Sequence, residues 1–298
     1  MSKDHFPKTG EYYRNCEVLE GGALPEGMVR VALAVEYNGA CFHGFQSQPS
    51  GVATVQQALE KALSKIANEE ITLVCAGRTD AGVHATGQIV HFDTLAQRPD
   101  KAWVLGVNAE LPDTVSVRWA KQVPAQFHAR FSATARAYRY VICNSYARPA
   151  LQFDQLTWER RELDIAKMEQ GAKQLIGRHD FSSFRASQCQ AKSPVREITH
   201  FDLHQRGELI VLEVKANAFL HHMVRNMVGV LLAIGAGEAE PQWVSELLAI
   251  KDRRQAGVTA KPHGLYLVAV DYPEHFELPQ LAPGPHFFAE PVGGFSRI

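Results

Sequence analysis

The sequence predicts an α+β protein of two similar halves sharing an extended, mostly antiparallel sheet, with a central cleft between them. Three observations carry this reading. Strand-like and helix-like runs alternate in similar order in the first and second parts of the chain, without visible short repeats. Residues 196–204 and 209–216 flank the turn Gln205-Arg-Gly-Glu208, the pattern of an antiparallel hairpin. The 298 residues are 46% hydrophobic and 21% charged, so a sizeable core can form without disulfides or metal.

Taken in order, residues 1–27 read as a polar tail and 28–153 as the first half. Residues 31–35 are a continuous apolar run that suits a buried strand. Thr54-Val-Gln-Gln57 is a capping box opening a helix whose Val55, Leu59, Ala62, Leu63 and Ile66 share one face. Residues 71–76, 88–92, 115–122 and 135–144 read as strands. The second half, 154–272, holds a helix over 163–176, the hairpin, a helix over 220–235 that ends in glycine, and a last strand over 265–270. Residues 273–298 carry five prolines and several glycines and are expected to be an irregular, partly mobile tail.

Bulk chemistry excludes several classes. The cysteines at 16, 41, 75, 143 and 189 are odd in number, far apart and never in a C-x-x-C pair, which favours a reducing cytosol over a disulfide or zinc framework. The first twenty residues lack the apolar run of a secretory signal, and the longest apolar stretch, 227–236, is too short to span a bilayer. The net charge of −1 gives no hint of a nucleic-acid partner. Residues 114–153, however, hold no Asp or Glu while carrying Arg118, Lys121, Arg130, Arg136, Arg139 and Arg148, interleaved with Phe127, Phe131, Tyr138, Tyr140 and Tyr146. That mixture suits a surface that binds phosphate and stacks bases, and it equally suits a strand pair with solvated arginines.

The chemistry concentrates at residues 77–85, Gly-Arg-Thr-Asp-Ala-Gly-Val-His-Ala, between two strands. The glycines permit a tight turn that exposes Arg78 and Asp80. On local grounds Asp80 is either a catalytic carboxylate or a turn residue capping its own backbone. In Arg136-Ala-Tyr-Arg-Tyr140, strand alternation places Arg136, Tyr138 and Tyr140 on one side, as a site or as a half-exposed sheet face. On the 220–235 helix, His222, Arg225, Asn226 and Gly229 share a face, and an arginine among apolar residues usually meets a carboxylate. The adjacent His221 and His222 are expected on different helix faces, and no H-E-x-x-H occurs, so no metal site is expected. One carboxylate in the motif is one too few for a glycosidase pair.

Four segments, AGRTDAGVHATGQIVHF, FHARFSATARAYRY, NAFLHHMVRNMVG and KPHGLYLVAV, resemble in order the signatures of the TruA family of tRNA pseudouridine synthases, from about residue 30 to 272. The resemblance implies the pseudouridine synthase fold with an RNA-binding cleft. It also implies a cytoplasmic homodimer with no organic cofactor or metal, converting uridine to pseudouridine at tRNA positions 38, 39 and 40 in the anticodon arm. It makes Asp80 the nucleophile, Arg78 the residue that extrudes the target base, Tyr138 the packing surface for the flipped uracil, and Arg225 the ion-pair partner of Asp80. Phe127, His128, Ala129, Arg130 and Phe131, with Gln188, Cys189, Gln190, Ala191 and Lys192, resemble RNA-contacting segments. A non-catalytic tRNA-binding protein of the same fold is the alternative; it would be favoured by loss of Asp80, Tyr138 or Arg225, and all three are present. The reaction breaks the C1′–N1 bond, turns the uracil and joins C5 to C1′. Unstacking the base costs a few kcal/mol. A neighbouring guanidinium favours an ionised carboxylate. A phenol is a poor base at neutral pH, so stacking ranks first for Tyr138.

Overall fold

The structure, a computed structural model, describes residues 24–287. Residues 1–23 and 288–298, with Cys16, lie outside the described residues. Ten strands form one sheet: β1 (Val29–Tyr37), β2 (Val74–Cys75), β3 (His84–Thr94), β4 (Val115–Val123), β5 (Ala135–Asn144), β6 (Thr157–Glu159), β7 (Gly177–Asp180), β8 (Val195–Arg206), β9 (Leu209–Ala216) and β10 (Leu265–Asp271). The order is β4-β1-β3-β10-β5-β9-β8-β7, with β2 on β3 and β6 on β5. Every pair is antiparallel except β10 with β3 and β6 with β5. The last strand is therefore the seam, wedged between the central strands β3 and β5.

Alternation along β1 explains the layering. Val31, Leu33 and Val35 join the larger apolar cluster, which includes Leu59 and Leu63 of α1 (Val55–Ala67). Ala32 and Ala34 face the other side, with Phe127 and Phe276. The side chain of Thr54 accepts from the amide of Gln57, so the capping box starts α1 as the sequence predicts. A short π-turn (Ala102–Gly106) leads into α2 (Val107–Glu110). In the second half α3 (Ile165–Lys173), α4 (Met223–Gly235) and α5 (Trp243–Ile250) complete the helical layer.

Three expectations need correcting. The strand foreseen over 71–76 shrinks to two residues, because side chains of α1 take its amides: Ser64 accepts from Ile71 and Glu60 from Leu73. The helix foreseen from 220 starts at Met223, because His222 is left-handed at φ 61° and cannot lie within a helix. The segment after residue 272 is irregular, yet as far as residue 287 it docks on the reverse face of the sheet. There Phe276 is buried beside Phe127, and Arg139 donates to the carbonyls of Pro283 and Gly284. Arg139 is 1% exposed and pairs at 2.5 Å with the fully buried Glu213, so this strap supplies acceptors that a buried guanidinium requires.

Candidate active site

The Asp80 loop is braced from three sides. The side chain of Gln88 donates to the carbonyl of Gly77 at 2.6 Å, and the Tyr37 hydroxyl meets that of Thr79 at 2.8 Å. The amide of Phe45 donates to the carbonyl of Thr79 at 3.1 Å. Gly39 sits so close that a Cβ there would lie 2.0 Å from the carbonyl oxygen of Val83. His84 closes the loop: its Nδ1 accepts from the amide of Gly39 at 2.9 Å, leaving Nε2 to donate to the carbonyl of His263 at 3.0 Å. Burial lowers its pKa to about 4, so it is the neutral form that holds these bonds.

Asp80 is brought together with residues more than 140 positions away. Arg225 Nη1 lies 3.2 Å from its Oδ2, while Arg225 Nε donates to the carbonyl of Ala260 at 2.8 Å. His221 Nε2 is 3.3 Å from Oδ1, and His222 Nε2 is 3.3 Å from Oδ2. The expectation that these histidines point apart assumed that both sit within a helix. Both precede it, and the left-handed turn at His222 brings the two rings within 4.0 Å of each other, on one carboxylate. Sequence reading missed both, although the doubled histidine three residues before the arginine was the available signal. Burial draws the pKa of His222 below its ordinary value, against the pull of the Asp80 charge. One atom each of Asp80, His221 and His222 lies within 4.8 Å of the others, a spacing compatible with a divalent cation. The Arg225 guanidinium already places a full positive charge on the same carboxylate oxygen, which opposes such an ion.

Tyr138 lies beside the loop. A Cβ on Gly77 would meet its hydroxyl at 3.9 Å, and its ring packs edge-on against Phe219 at 5.0 Å. Burial raises its phenol above the ordinary value, so phenolate is even less accessible than the sequence implied. Tyr140 shares its side of the strand but is a core residue, bonded to Thr157 and to the carbonyl of Lys261 at 2.7 Å. Asn226 also leaves the shared helix face, donating from a buried position to the carbonyl of Phe184. Arg78 is exposed.

The two RNA-like segments divide. Phe127 and Ala129 are both fully buried, which removes their side chains from direct RNA contact. His128 is an internal brace: its Nδ1 accepts from the amides of Arg130 and Phe131, both at 3.1 Å, and burial takes its pKa to about 4. Arg130 and Phe131 are exposed and stacked, with the guanidinium 5.6 Å from the ring centroid. Gln188, Gln190 and Lys192 are exposed, and Cys189 and Ala191 are half-buried. This loop touches the site at the backbone of His221: the amide of His221 donates to Cys189 Sγ at 3.4 Å, and the amide of Ala186, just before the loop, donates to the carbonyl of His221 at 3.0 Å. The acid-free segment is less cationic than it reads, since Arg118 meets Glu36, Lys121 meets Glu277 and Arg139 meets Glu213. Arg136 is spent on four backbone carbonyls.

A family model described as tRNA pseudouridine synthase matches residues 33–132 and 172–273. A protein named tRNA pseudouridine synthase A from Pseudomonas aeruginosa is 57% identical over 263 residues, 88% of this chain and 92% of that one. Proteins of the same name from Pseudoalteromonas atlantica and Shewanella denitrificans are 58% and 59% identical over 262 residues, 88% of this chain and 99% and 100% of theirs. The class these define is an isomerase of mixed α/β fold with one large sheet. The chain belongs to the tRNA pseudouridine synthase family. No helix among the described residues is long and apolar enough to cross a membrane.

Proposed function

We propose that this enzyme isomerises uridine to pseudouridine at positions 38, 39 and 40 in the anticodon arm of tRNAs, with Asp80 as the nucleophile acting on a flipped-out base. The observation that carries this reading is the Asp80 carboxylate, held between Arg225 and two histidines at the meeting of the two halves. A half-exposed carboxylate fixed by a guanidinium is a poised nucleophile. Tyr138, neutral and beside the loop, offers its ring to the extruded uracil. Arg78 reaches outward to take the place of the base in the stack. Arg130, Phe131 and the 188–192 loop line the approach, with charge for phosphate and a ring for stacking. The same reading takes the enzyme as a cytoplasmic homodimer that works without metal or organic cofactor, its halves meeting near residues 153 and 154 and its tails being 1–27 and 273–298.

Tritium release from tRNA transcripts labelled at C5 of uridine tests the reaction directly. The Asp80→Asn variant keeps the shape and loses the charge, so it should release no tritium while binding tRNA with near-parental affinity. Turnover close to that of the parent would remove Asp80 from the chemistry.

A further inference from the structure

The reaction has a step for which no acceptor has yet been named. Once C5 of the uracil has bonded to C1′, C5 is tetrahedral and still carries its hydrogen. The C5–H bond must break and its electron pair forms the C5–C6 double bond, while the C6–N1 π pair returns to N1, which takes a proton (or, if Asp80 has added to C6, the C6–O bond breaks and frees the carboxylate). The proton from C5 needs an acceptor. No oxidant or reductant is involved.

We propose that His222 accepts the C5 proton. This rests on the reading of Asp80 as the catalytic carboxylate. Wherever the carboxylate acts, at C1′, at C6 or on the C2′ proton, C5 lies within three bonds of the atom it touches when the new bond has formed. A base within hydrogen-bond distance of Asp80 is therefore within reach of C5. Arg225 is a donor without a lone pair, and burial keeps Tyr138 a neutral phenol. Each imidazole turns Nε2 to a carboxylate oxygen at 3.3 Å, where that nitrogen carries the proton as donor, so the lone pair it offers as a base is on Nδ1.

Between the two, His222 is the more enclosed, 30% exposed against 39% for His221. Burial holds it neutral, and it shares Oδ2 with Arg225. Its backbone stands at φ 61°, a conformation that glycine would adopt without cost, yet the chain places an imidazole there. After transfer the imidazolium faces the Asp80 carboxylate, which stabilises it until water takes the proton. His221 packs against the ring of His222 at 4.0 Å and positions it.

The test compares single-turnover pseudouridine formation on full-length tRNA carrying protium or deuterium at C5, with the intact chain and with His222→Gly. Glycine suits the left-handed backbone, so the fold should tolerate the change. The variant should slow by about 10²-fold or more, bind tRNA as the parent does, and acquire a primary isotope effect at C5 because that bond now limits the rate. Added imidazole should restore part of the rate. A variant as fast as the parent, or one slowed without an isotope effect, overturns the assignment. Failure of the parent enzyme to release C5 tritium would instead sink the proposed reaction itself, so the two failures are told apart.

Discussion

Arg225 is fixed at both ends of its fork, Nε on the carbonyl of Ala260 and Nη1 on Asp80, so one planar group ties α4, the 256–260 segment and the catalytic loop together. A lysine at this position keeps the charge but offers a single centre that cannot span both acceptors. Arg225→Ala should cost about 10²–10³ in single-turnover rate, the scale of losing one preorganised charge-stabilising donor. Arg225→Lys should recover part of it, and neither should move the tRNA dissociation constant much. Arg78 provides the contrast, since it is exposed. Arg78→Ala should weaken formation of the extruded complex, read as a fluorescence change of 2-aminopurine placed beside the target base. If Arg225→Ala weakens tRNA binding and does nothing else, the arginine belongs to the RNA surface and not to the carboxylate.

At the scale of elements, close backbone approach is the device that sets the site. A Cβ on Gly229 of α4 would lie 1.8 Å from the carbonyl oxygen of Val258, so only glycine lets this helix bring Arg225 against Ala260. In an exposed helix Gly→Ala gains about 0.5–1 kcal/mol. Here the overlap is with backbone, which cannot swing aside, and strain of about 1–3 kcal/mol reverses the sign. Gly229→Ala should lower the Tm and kcat together; a raised Tm with parental kcat would show that the helix has room. The sequence carried much of this. Gly229 was placed on the Arg225 face, Ala135–Asn144 and Leu209–Ala216 fall where alternation puts them, and Asp80 meets Arg225 as the resemblance implies. What it hid depends on contacts distant in sequence. Burial of Phe127 follows from Phe276 and Tyr272 packing on its ring, and the position of His221 and His222 follows from one left-handed residue that no periodicity reveals.

Over the whole molecule, charge and protons report how the parts are joined. The acid-free segment pairs three of its six cations with distant acids, while Arg130 is an exposed cation beside Phe131. Arg130→Ala should shallow the slope of log K against log salt for tRNA by about one unit in filter binding; an unchanged slope removes it from the phosphates. Stability should in turn depend on buried neutral imidazoles. Burial sets His84 and His128 at about 4 and His91 well below its ordinary value. A lowered imidazole pKa means the unfolded chain takes the proton first as pH falls. The stability is therefore fully present above about pH 6.5 and is lost between 6.5 and 4. Glu213, which burial raises to about 7, and Glu60, which burial also raises, work the other way, because their contribution grows as pH falls. For His84, 1% exposed, the loss reaches about 2 kcal/mol at pH 5, since protonation puts a donor on Nδ1 against the amide of Gly39. Urea unfolding at pH 7.5 and 5.0 should show the decline, and His84→Asn should be less stable at pH 7.5 yet lose about 2 kcal/mol less on acidification. An equal acid loss in parent and variant would mean that His84 takes up its proton in the folded state, and that the Gly39–His84–His263 chain does not hold the catalytic loop in the neutral form.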